Sequence, residues 1–383
     1  MSTPYPRFSD AEMGRRHAAV AEIMAARGVG HLLVYGANRF GLAVGWLTRW
    51  PVTREAFVVV SPGDRDALFV DFFNHVPNAQ RIATEADVRP CEGRGIEHPE
   101  CELRRRGAAG RRIGVIGPLP WRQAARLGEL GSELVSLDAD FSRLRLVKSA
   151  EELEWLRIGC ELTDRAVEAL CAGARPGVDE RALGAIVEAA YLGRGGTTHI
   201  HYFATTPMDR PGIAAPAQWP SRRALKTGDA LVCEISASYW DHPGQVLRTF
   251  TVESEPTPLY RELHDVADAA LDAVVARLRA GATAAELVEA SGVIEDAGFT
   301  IRDDLVHGFV GGYLPPILGS RSRMLGEVPD FRFAAGMTVV VQPNVVTPDE
   351  TAGVQTGELM LVTEAGAERL HSVRRGLRPA GDG

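Results

Sequence analysis

The sequence has few of the features that mark membrane, disulfide-bonded and metal-cluster proteins. No apolar run reaches the roughly 18 residues that a helix needs to span a bilayer, and the N-terminal stretch MSTPYPRFSDAEMGRR lacks the apolar core of a signal peptide. The 5 cysteines are odd in number and form no Cys-x-x-Cys pair, which argues against a disulfide framework and a zinc cluster. We therefore expect a cytoplasmic protein with reduced thiols and no membrane partner.

A basic excess is also missing. The chain has 42 Lys and Arg against 50 Asp and Glu, and its net charge is −8. Non-specific nucleic-acid binding requires a basic face, so we expect no nucleic-acid partner. The dinucleotide-binding fingerprint is absent as well, because Gly114 and Gly117 do not complete a Gly-x-Gly-x-x-Gly motif.

The chain is long enough for two domains with separate cores, with 383 residues of which 45% are hydrophobic. Its first part combines a helical pattern with short apolar runs that end in turn residues. The expected helix covers 10–27, and the expected strands cover 31–36, 56–64, 67–71 and 111–117. These patterns indicate an α/β domain.

The pattern changes near residue 145, where a long helical segment begins. Ser149 is followed three residues later by Glu152, which is the spacing of a capping box. An apolar stripe at helical spacing continues from there. These features predict a helix over 150–172 and divide the chain into domains 1–145 and 146–383.

The second part mixes helices and strands, with Gly and Pro at the junctions. Its expected helices cover 179–194, 257–280 and 284–297, and its expected strands cover 229–236, 246–252, 337–341 and 359–363. The fold class expected for the whole chain is therefore α/β (α+β).

Three segments of the second part occur in a characteristic order and spacing. They are GDALVCEISASYWDHPGQVLRTFTV (228–252), DDLVHGFVGGYLPP (303–316) and GMTVVVQPNVVTPDETAGVQTGELMLVTEAG (336–366). Together they resemble the pita-bread family of methionine aminopeptidase, aminopeptidase P, prolidase and creatinase. The resemblance implies a creatinase-like or prolidase-like N-terminal α/β domain followed by a C-terminal pita-bread catalytic domain.

The metallopeptidases of that family hold two divalent metals with two Asp, one His and two Glu, a set of hard ligands that suits such ions. The matching positions here, in chain order, are Glu234, Gln245, His307, Gln342 and Gly357, with Glu358 beside the last and Gln355 two before it. Neutral amides and a glycine thus replace three anionic ligands, which removes most of the charge that offsets dehydration of a divalent ion. From the resemblance we expect no dimetal centre and no cofactor. A single ion held by Glu234, His307 and another His stays open.

Creatinase offers a metal-free precedent within the resemblance, because it cleaves a C–N bond of a small guanidino acid with a His as acid and base. The corresponding segment here reads PAQWPSRRALKTGD (216–229), and the position of that His is Ala217. Creatinase activity itself is therefore not expected.

Two residues are the candidates for acid/base catalysis. Glu234 ends an apolar strand, and burial of a carboxyl raises its pKa towards the range useful for proton transfer. The alternative is a structural Glu that hydrogen-bonds Gln245 or Arg248. His307 lies in the glycine-flanked segment VHGFVGGY, which we interpret as a turn where backbone approaches a ligand.

The candidate substrate-binding residues are polar side chains on the same segments. Three amides can each donate and accept hydrogen bonds, which suits a small polar substrate. His199 and His201 share a face if their segment is a strand, and they either line the pocket or bind metal. The full candidate set is Gln245, Gln342, Gln355, Glu358, His199, His201, Tyr239, Arg248 and Tyr313.

The sequence thus favours a metal-independent, creatinase-like hydrolase or lyase that cleaves a C–N or similar bond of a small polar, amino-acid-like substrate. One alternative is an Xaa-Pro-type metallopeptidase with an atypical metal site. Another is a non-catalytic homologue that binds a ligand or acts as a scaffold. The resemblance also implies a homodimer.

Overall fold

The computed structural model describes residues 5–38, 40–324 and 326–381. The chain divides into two compact units, Met1–Leu144 and Arg145–Gly383. No helix in these described ranges is both long and apolar enough to cross a membrane.

The first unit is a mixed sheet with helices. Its helices are α1 (Asp10–Ala26), α2 (Leu42–Thr48), α3 (Val76–Ile82), α4 (Glu97–Arg105), α5 (Trp121–Gly128) and α6 (Asp138–Leu144). Its strands are β1 (His31–Ala37), β2 (Glu55–Val60), β3 (Ala67–Val70), β4 (Asp87–Pro90), β5 (Ile113–Ile116) and β6 (Leu134–Ser136). The strand order is β4-β3-β2-β1-β5-β6, with β1 and β3 antiparallel to β2 and the other pairs parallel.

The second unit carries the candidate site. Its helices are α7 (Ala150–Gly173), α8 (Glu180–Tyr191), α9 (Pro258–Arg277), α10 (Ala284–Ala290) and α11 (Val293–Asp296), and a 3₁₀ turn covers Leu192–Arg194. Its strands are β7 (Thr197–Pro207), β8 (Asp229–Tyr239), β9 (His242–Pro243), β10 (Val246–Val252), β11 (Thr300–Ile301), β12 (Val306–Phe309), β13 (Tyr313–Leu318), β14 (Thr338–Val341), β15 (Asn344–Val346), β16 (Gly353–Gln355), β17 (Gly357–Val362), β18 (Ala367–Arg369) and β19 (Arg378–Ala380).

The main sheet of this unit follows the order β13-β12-β14-β17-β10-β8-β7. A smaller sheet follows the order β11-β15-β16. Helix α9 contributes Tyr260, Leu263 and Leu271 to a core that also contains Val339 and Val341 of β14. This core fixes β14, so the residues that follow its end are held in place.

Helix α7 begins where the sequence predicts. Ser149 accepts a hydrogen bond from the backbone N–H of Glu152, and the Glu152 side chain accepts one from the backbone N–H of Ser149. This reciprocal arrangement is a complete capping box, which satisfies two donors that a helix start otherwise leaves unpaired.

The expected helix over 284–297 is interrupted at Ser291 and Gly292. A Cβ on Gly292 would lie 2.4 Å from the Arg321 guanidinium carbon. The Arg321 guanidinium also donates a 2.6 Å hydrogen bond to the Gly292 carbonyl. The side chain of Arg321 therefore occupies the space beside Gly292, where the predicted continuous helix is broken.

One predicted turn position is in fact a strand position, and one expected strand is longer than predicted. His307 lies inside β12, which pairs with both β13 and β14, and not in a turn. The register shifts between His307 and Gly308, and a Cβ on Gly308 would lie 2.6 Å from the Pro315 carbonyl oxygen. The strand expected over 229–236 extends to Tyr239, the last residue of β8. The glycine that suggested a turn at His307 instead allows a close approach between two strands.

Candidate active site

A cavity of about 660 Å³ lies in the second unit, and Glu234 is part of its wall. Tyr202, Asp303, Tyr313 and Gln355 line it as polar side chains. The segment 212–217 forms a wall of small and apolar residues. The size of the cavity suits a small-molecule ligand.

Four side chains at the family's ligand positions form one hydrogen-bonded line. The Gln245 amide nitrogen donates to Glu234 Oε1 at 2.6 Å and lies 3.4 Å from Gln342 Oε1. Gln342 Oε1 in turn lies 3.3 Å from His307 Nε2. The strands explain this convergence, because β8 pairs with β10 and β12 pairs with β14. We call this set, Glu234, Gln245, Gln342 and His307, the amide line.

The orientation of both amides follows from their neighbours. The nitrogen of Gln245 faces two acceptors, so its Oε1 must point the other way, where it is buried and has no hydrogen-bond partner among the described residues. Gln342 donates its amide N–H to the Asp304 carbonyl oxygen at 3.2 Å, which turns its own Oε1 towards Gln245 and His307. The line therefore leaves one buried acceptor, Gln245 Oε1, for a donor from outside.

Glu234 is the carboxyl of the amide line. It is 5% exposed, and burial raises its pKa to about 7. The negative charge of Asp303 raises the pKa further, whereas the hydrogen bond from Gln245 lowers it. A carboxyl with this pKa can both accept and return a proton near neutral pH.

His307 sits at the other end of the line. Its Nδ1 lies 3.1 Å from the Gly308 carbonyl oxygen, and the Tyr313 ring stacks on it with centroids 4.0 Å apart. Both ring nitrogens thus face oxygen acceptors, and a neutral imidazole has one N–H with which to satisfy them. Burial opposes protonation and lowers the pKa of His307 to about 4, although the contacts with Gly308 and Gln342 raise it.

Asp304 belongs to the site but was missed by the sequence analysis. Burial raises its pKa to about 8, and the neighbouring Asp303 adds to the effect. Its Oδ1 accepts a 3.1 Å hydrogen bond from the Tyr313 hydroxyl, and its Oδ2 is 4.0 Å from His307 Nε2. The sequence signal that could have indicated Asp304 is the acidic pair directly before the strand of His307. Asn344 helps to hold this pair, because its side chain accepts a hydrogen bond from the backbone N–H of Asp303 at 2.7 Å.

Two candidate substrate-binding residues lie in a separate cluster. The carboxylate of Glu358 is fully buried and binds Arg248, Arg369 and Arg375. Arg248 also donates to the carbonyl oxygens of Leu247 and Gly357 at 2.9 and 2.8 Å. Neither Glu358 nor Arg248 is among the described residues of the cavity wall. We call the four charged residues the arginine cluster.

The pKa shifts within the arginine cluster point in different directions. Burial raises the pKa of Glu358, but the hydrogen bond from Arg369 and the charges of Arg248 and Arg375 outweigh it and lower the pKa to about 2. Burial lowers the pKa of Arg248, and Glu358 opposes that shift. We treat Arg248 as charged, because guanidinium stays protonated in proteins and this one donates to several carbonyl oxygens.

The two candidate histidines of β7 contact different partners. The register of β7 against β8 shifts between Thr198 and Ile200, which breaks the regular alternation expected at His199. The His199 ring faces Phe309 at 5.7 Å, whereas the His201 ring faces Tyr191 at 5.6 Å. Neither histidine is among the described residues of the cavity wall.

Tyr239 also lies apart from the amide line. Its ring packs edge-on against Trp155 of α7, with centroids 5.5 Å apart. Of the candidate residues, the structure places Glu234, Gln355 and Tyr313 on the cavity wall and Gln245, Gln342 and His307 in the amide line.

The described side chains do not provide the family's metal-ligand set. Among the residues that the structure describes, no group of three or more His, Cys, Asp or Glu is placed to hold an ion. A Cβ on Gly357 would lie 2.4 Å from the Val341 carbonyl oxygen, so this backbone has no room for a ligand side chain there. Glu358 beside it forms ion pairs with three arginines.

Comparison with known proteins places the chain in a family. The sequence model of metallopeptidase family M24 matches residues 154–364, which is more than half of the chain. The Xaa-Pro dipeptidase of Pyrococcus furiosus is 27% identical over 268 residues, which cover 69% of this chain and 75% of that protein. The Xaa-Pro dipeptidase of Pyrococcus horikoshii is 26% identical over 273 residues, covering 69% and 74%.

Solved structures agree on the fold. An Xaa-Pro dipeptidase from Bacillus anthracis has a TM-score of 0.82 at 20% identity, covering 96% of this chain and 99% of that one. A prolidase from Pyrococcus furiosus has a TM-score of 0.77 at 21% identity, covering 92% and 99%. These matches confirm the predicted fold, an N-terminal α/β domain followed by a pita-bread domain.

The comparisons also correct one expectation. The prediction that the chain uses no cofactor is wrong by the family match, because the matching family consists of metallopeptidases. The ligand positions, where amides and Gly357 replace carboxylates, were the sole basis of that expectation. The family match extends over most of the second unit and favours a peptidase-type hydrolase over a creatinase-like one. On these grounds the chain belongs to metallopeptidase family M24.

Proposed function

We propose that the protein hydrolyses the amide bond of a small dipeptide-like substrate of the Xaa-Pro type in the cavity beside Glu234. The observation that carries this proposal is the amide line, which ends in a buried carboxyl on the cavity wall. The named activity of the Pyrococcus relatives supports the substrate class.

Glu234 is the proposed acid/base group. Because burial raises its pKa to about 7, both its ionised and protonated forms are present near neutral pH. The ionised form accepts a proton from the attacking water, and the protonated form then delivers it to the leaving nitrogen. Gln245 keeps the carboxyl in place through its 2.6 Å hydrogen bond.

The charges of the wall suggest how such a substrate is oriented. Asp303 and Glu234 supply negative charge for the substrate's ammonium group, and Asp303 forms no ion pair within the described part of the chain. Arg302 lines the same cavity and pairs with Glu350 at 2.9 Å. A zwitterionic dipeptide can therefore place its ammonium group near Asp303 and its carboxylate near Arg302.

The test is an assay of proline release from a panel of Xaa-Pro dipeptides. Each assay is run on chelator-treated protein and on protein supplied with Mn²⁺, Co²⁺ or Zn²⁺, with bound metal measured by elemental analysis. Glu234→Gln removes the proton acceptor and is expected to lower kcat by at least about 100-fold. Glu289→Gln, on the exposed face of α10, is the matched control and should stay within twofold.

Two results would refute the proposal. One is a wild-type protein that releases no proline under any of these metal conditions. The other is a Glu234→Gln variant that is as active as the wild type. The metal series also measures how far the cofactor requirement of the family applies to this chain.

The assembly and location of the protein are proposals of the same kind. The exposed Trp219, 86% accessible, lies next to the wall segment 212–218 and supports a homodimer that covers it. The cysteines are free thiols, which supports a reducing, cytoplasmic location. Light scattering tests the first proposal: the mass of two 41.4 kDa chains is expected, and that of one chain would contradict it.

A further inference from the structure

A buried Asp–His pair outside the amide line holds the main chain of Gln245. Asp164 lies on α7, and its Oδ1 is 2.6 Å from His371 Nδ1. Its Oδ2 accepts from the backbone N–H and the hydroxyl of Ser372 at 2.6 and 2.7 Å. Burial raises the pKa of Asp164, but its hydrogen bonds to His371 and Ser372 outweigh this effect and lower it. The carboxylate therefore accepts on both oxygens.

The other ring nitrogen of His371 faces Gln245. An N–H at Nδ1 that donates to Asp164 leaves a lone pair at Nε2. This Nε2 accepts the backbone N–H of Gln245 at 3.3 Å. The carbonyl of Gln245 accepts the backbone N–H of Leu359 at 3.0 Å. The main chain of Gln245 is thus fixed from two sides, while its side chain donates to Glu234.

Close packing reinforces this hold. A Cβ on Gly244 would lie 2.7 Å from Cys160 Cα and 2.8 Å from His371 Cε1. A Cβ on Gly159 would lie 2.0 Å from the His242 carbonyl oxygen. The segment before Gln245 therefore lies directly between α7 and His371, with no space into which it could shift.

We propose that Asp164 and His371 are positioning residues that aim the side chain of Gln245 at Glu234. The inference rests on the proposed hydrolysis at Glu234 and extends it to residues that no sequence motif indicated. The His371 side chain is fully buried and is not among the described residues of the cavity wall, so it acts through Gln245 and not on the substrate. Removing the hydrogen-bond partners that orient metal-ligating residues typically lowers activity 10- to 100-fold, and we expect an effect of the same order here.

The experiment compares His371→Ala, His371→Gln and the control His264→Ala. His264 is a buried histidine that lies 3.3 Å from the partly exposed Asp268 on α9, and within the described part of the chain no hydrogen bond joins it to Gln245. His371→Ala is expected to lower kcat about 10- to 100-fold with KM within about threefold. His371→Gln can still donate and accept, so it should recover most of the loss. His264→Ala should leave kcat within about twofold.

A second readout does not depend on turnover. Loss of the acceptor at His371 Nε2 should speed hydrogen exchange of the Gln245 backbone amide at least tenfold in His371→Ala, and not in His264→Ala. If His371→Ala does not fold, His371→Gln is compared with Asp164→Asn by the same two measurements.

The outcomes separate the two proposals. Unchanged exchange at Gln245, or faster exchange with unchanged kcat, would overturn the positioning role. A wild-type protein that is inactive on every dipeptide would refute the proposed function, and the exchange rate would then decide the positioning of Gln245 by itself.

Discussion

Glu234 and Glu358 are two buried glutamates on strands that flank the same neighbour. Glu234 on β8 is opposite Leu247 of β10, and Glu358 on β17 is opposite Val246 of β10. Burial acts on both, yet the pKa of Glu234 is raised to about 7 and that of Glu358 is lowered to about 2. The difference comes from their partners, a neutral amide in one case and three guanidinium groups in the other.

Glu234 is a carboxyl that is available for chemistry, whereas Glu358 has a structural role. Glu358 is surrounded by donors, so its proton affinity is low and its oxygens are occupied. Glu234 keeps a proton near neutral pH and reaches the cavity wall. Two residues of the same type in the same sheet therefore have opposite effects on stability, which mutation can measure.

The largest expected effect is the loss of Glu358. Glu358→Ala removes the carboxylate that three guanidinium groups share, and Arg248 among them is fully buried. Removing one side of a buried ion pair costs about 3–5 kcal/mol. We expect a loss of about 4 kcal/mol in the free energy of unfolding, measured by urea denaturation.

Glu368→Gln is the control for this prediction. Glu368 is half exposed and pairs with Arg157 at 3.0 Å, so its removal should cost at most about 1 kcal/mol. Equal losses in the two variants would show that the arginine cluster contributes no more than a surface ion pair.

The second effect concerns Glu234 and depends on pH. A carboxyl whose folded pKa is raised from 4.5 to about 7 destabilises the fold as pH rises through that window, because the unfolded chain gives up its proton first. Glu234→Gln removes this cost. We compare the free energy of unfolding of the variant with that of the wild type. This difference should be more favourable to the variant at pH 8 than at pH 4.5, by on the order of 3 kcal/mol.

Urea denaturation at pH 4.5, 6 and 8 measures this difference. Asp304, whose pKa is raised to about 8, is present in both proteins, so its contribution largely cancels. Glu289→Gln should show no pH-dependent change. A constant difference between Glu234→Gln and wild type across the three pH values would contradict the raised pKa of Glu234.

The smallest effect is the removal of one outer arginine of the cluster. Arg369 is 40% exposed, and without it Glu358 keeps Arg248 at 2.9 Å and Arg375 at 2.5 Å. Arg369→Ala should therefore cost about 1 kcal/mol, and less in 1 M NaCl because salt screens exposed charges. Differential scanning calorimetry at two salt concentrations tests this, and a loss as large as that of Glu358→Ala would contradict the idea that the three arginines share the charge.

Local sequence signals predicted several elements of the second unit well. The spacing of Ser149 and Glu152 placed the start of α7 correctly, because a capping box depends on residues three apart. The interrupted helix at Gly292 was missed because Arg321, which lies against it, is 29 residues away. His307 was placed in a turn because Gly308 looked like a turn residue, whereas the glycine is needed where two strands approach.

In the candidate site, too, the sequence indicated some features, and others depended on contacts that it did not indicate. The family resemblance indicated all four residues of the amide line, and the structure places them in contact. It also grouped Glu358 with them, although that side chain belongs to the arginine cluster instead. The cofactor expectation failed because it weighed ligand positions alone against a family match that covers residues 154–364.

The sequence by itself determined the family, the fold class and the residues at the ligand positions, since order and spacing along the chain carry that information. Tertiary structure alone decided the chemical state of each group. Glu234 is 11 residues from Gln245, and Glu358 is 110 residues from Arg248 and 11 and 17 from its other arginines. A pKa depends on burial and on charges a few ångströms away, and neither can be read from distance along the chain.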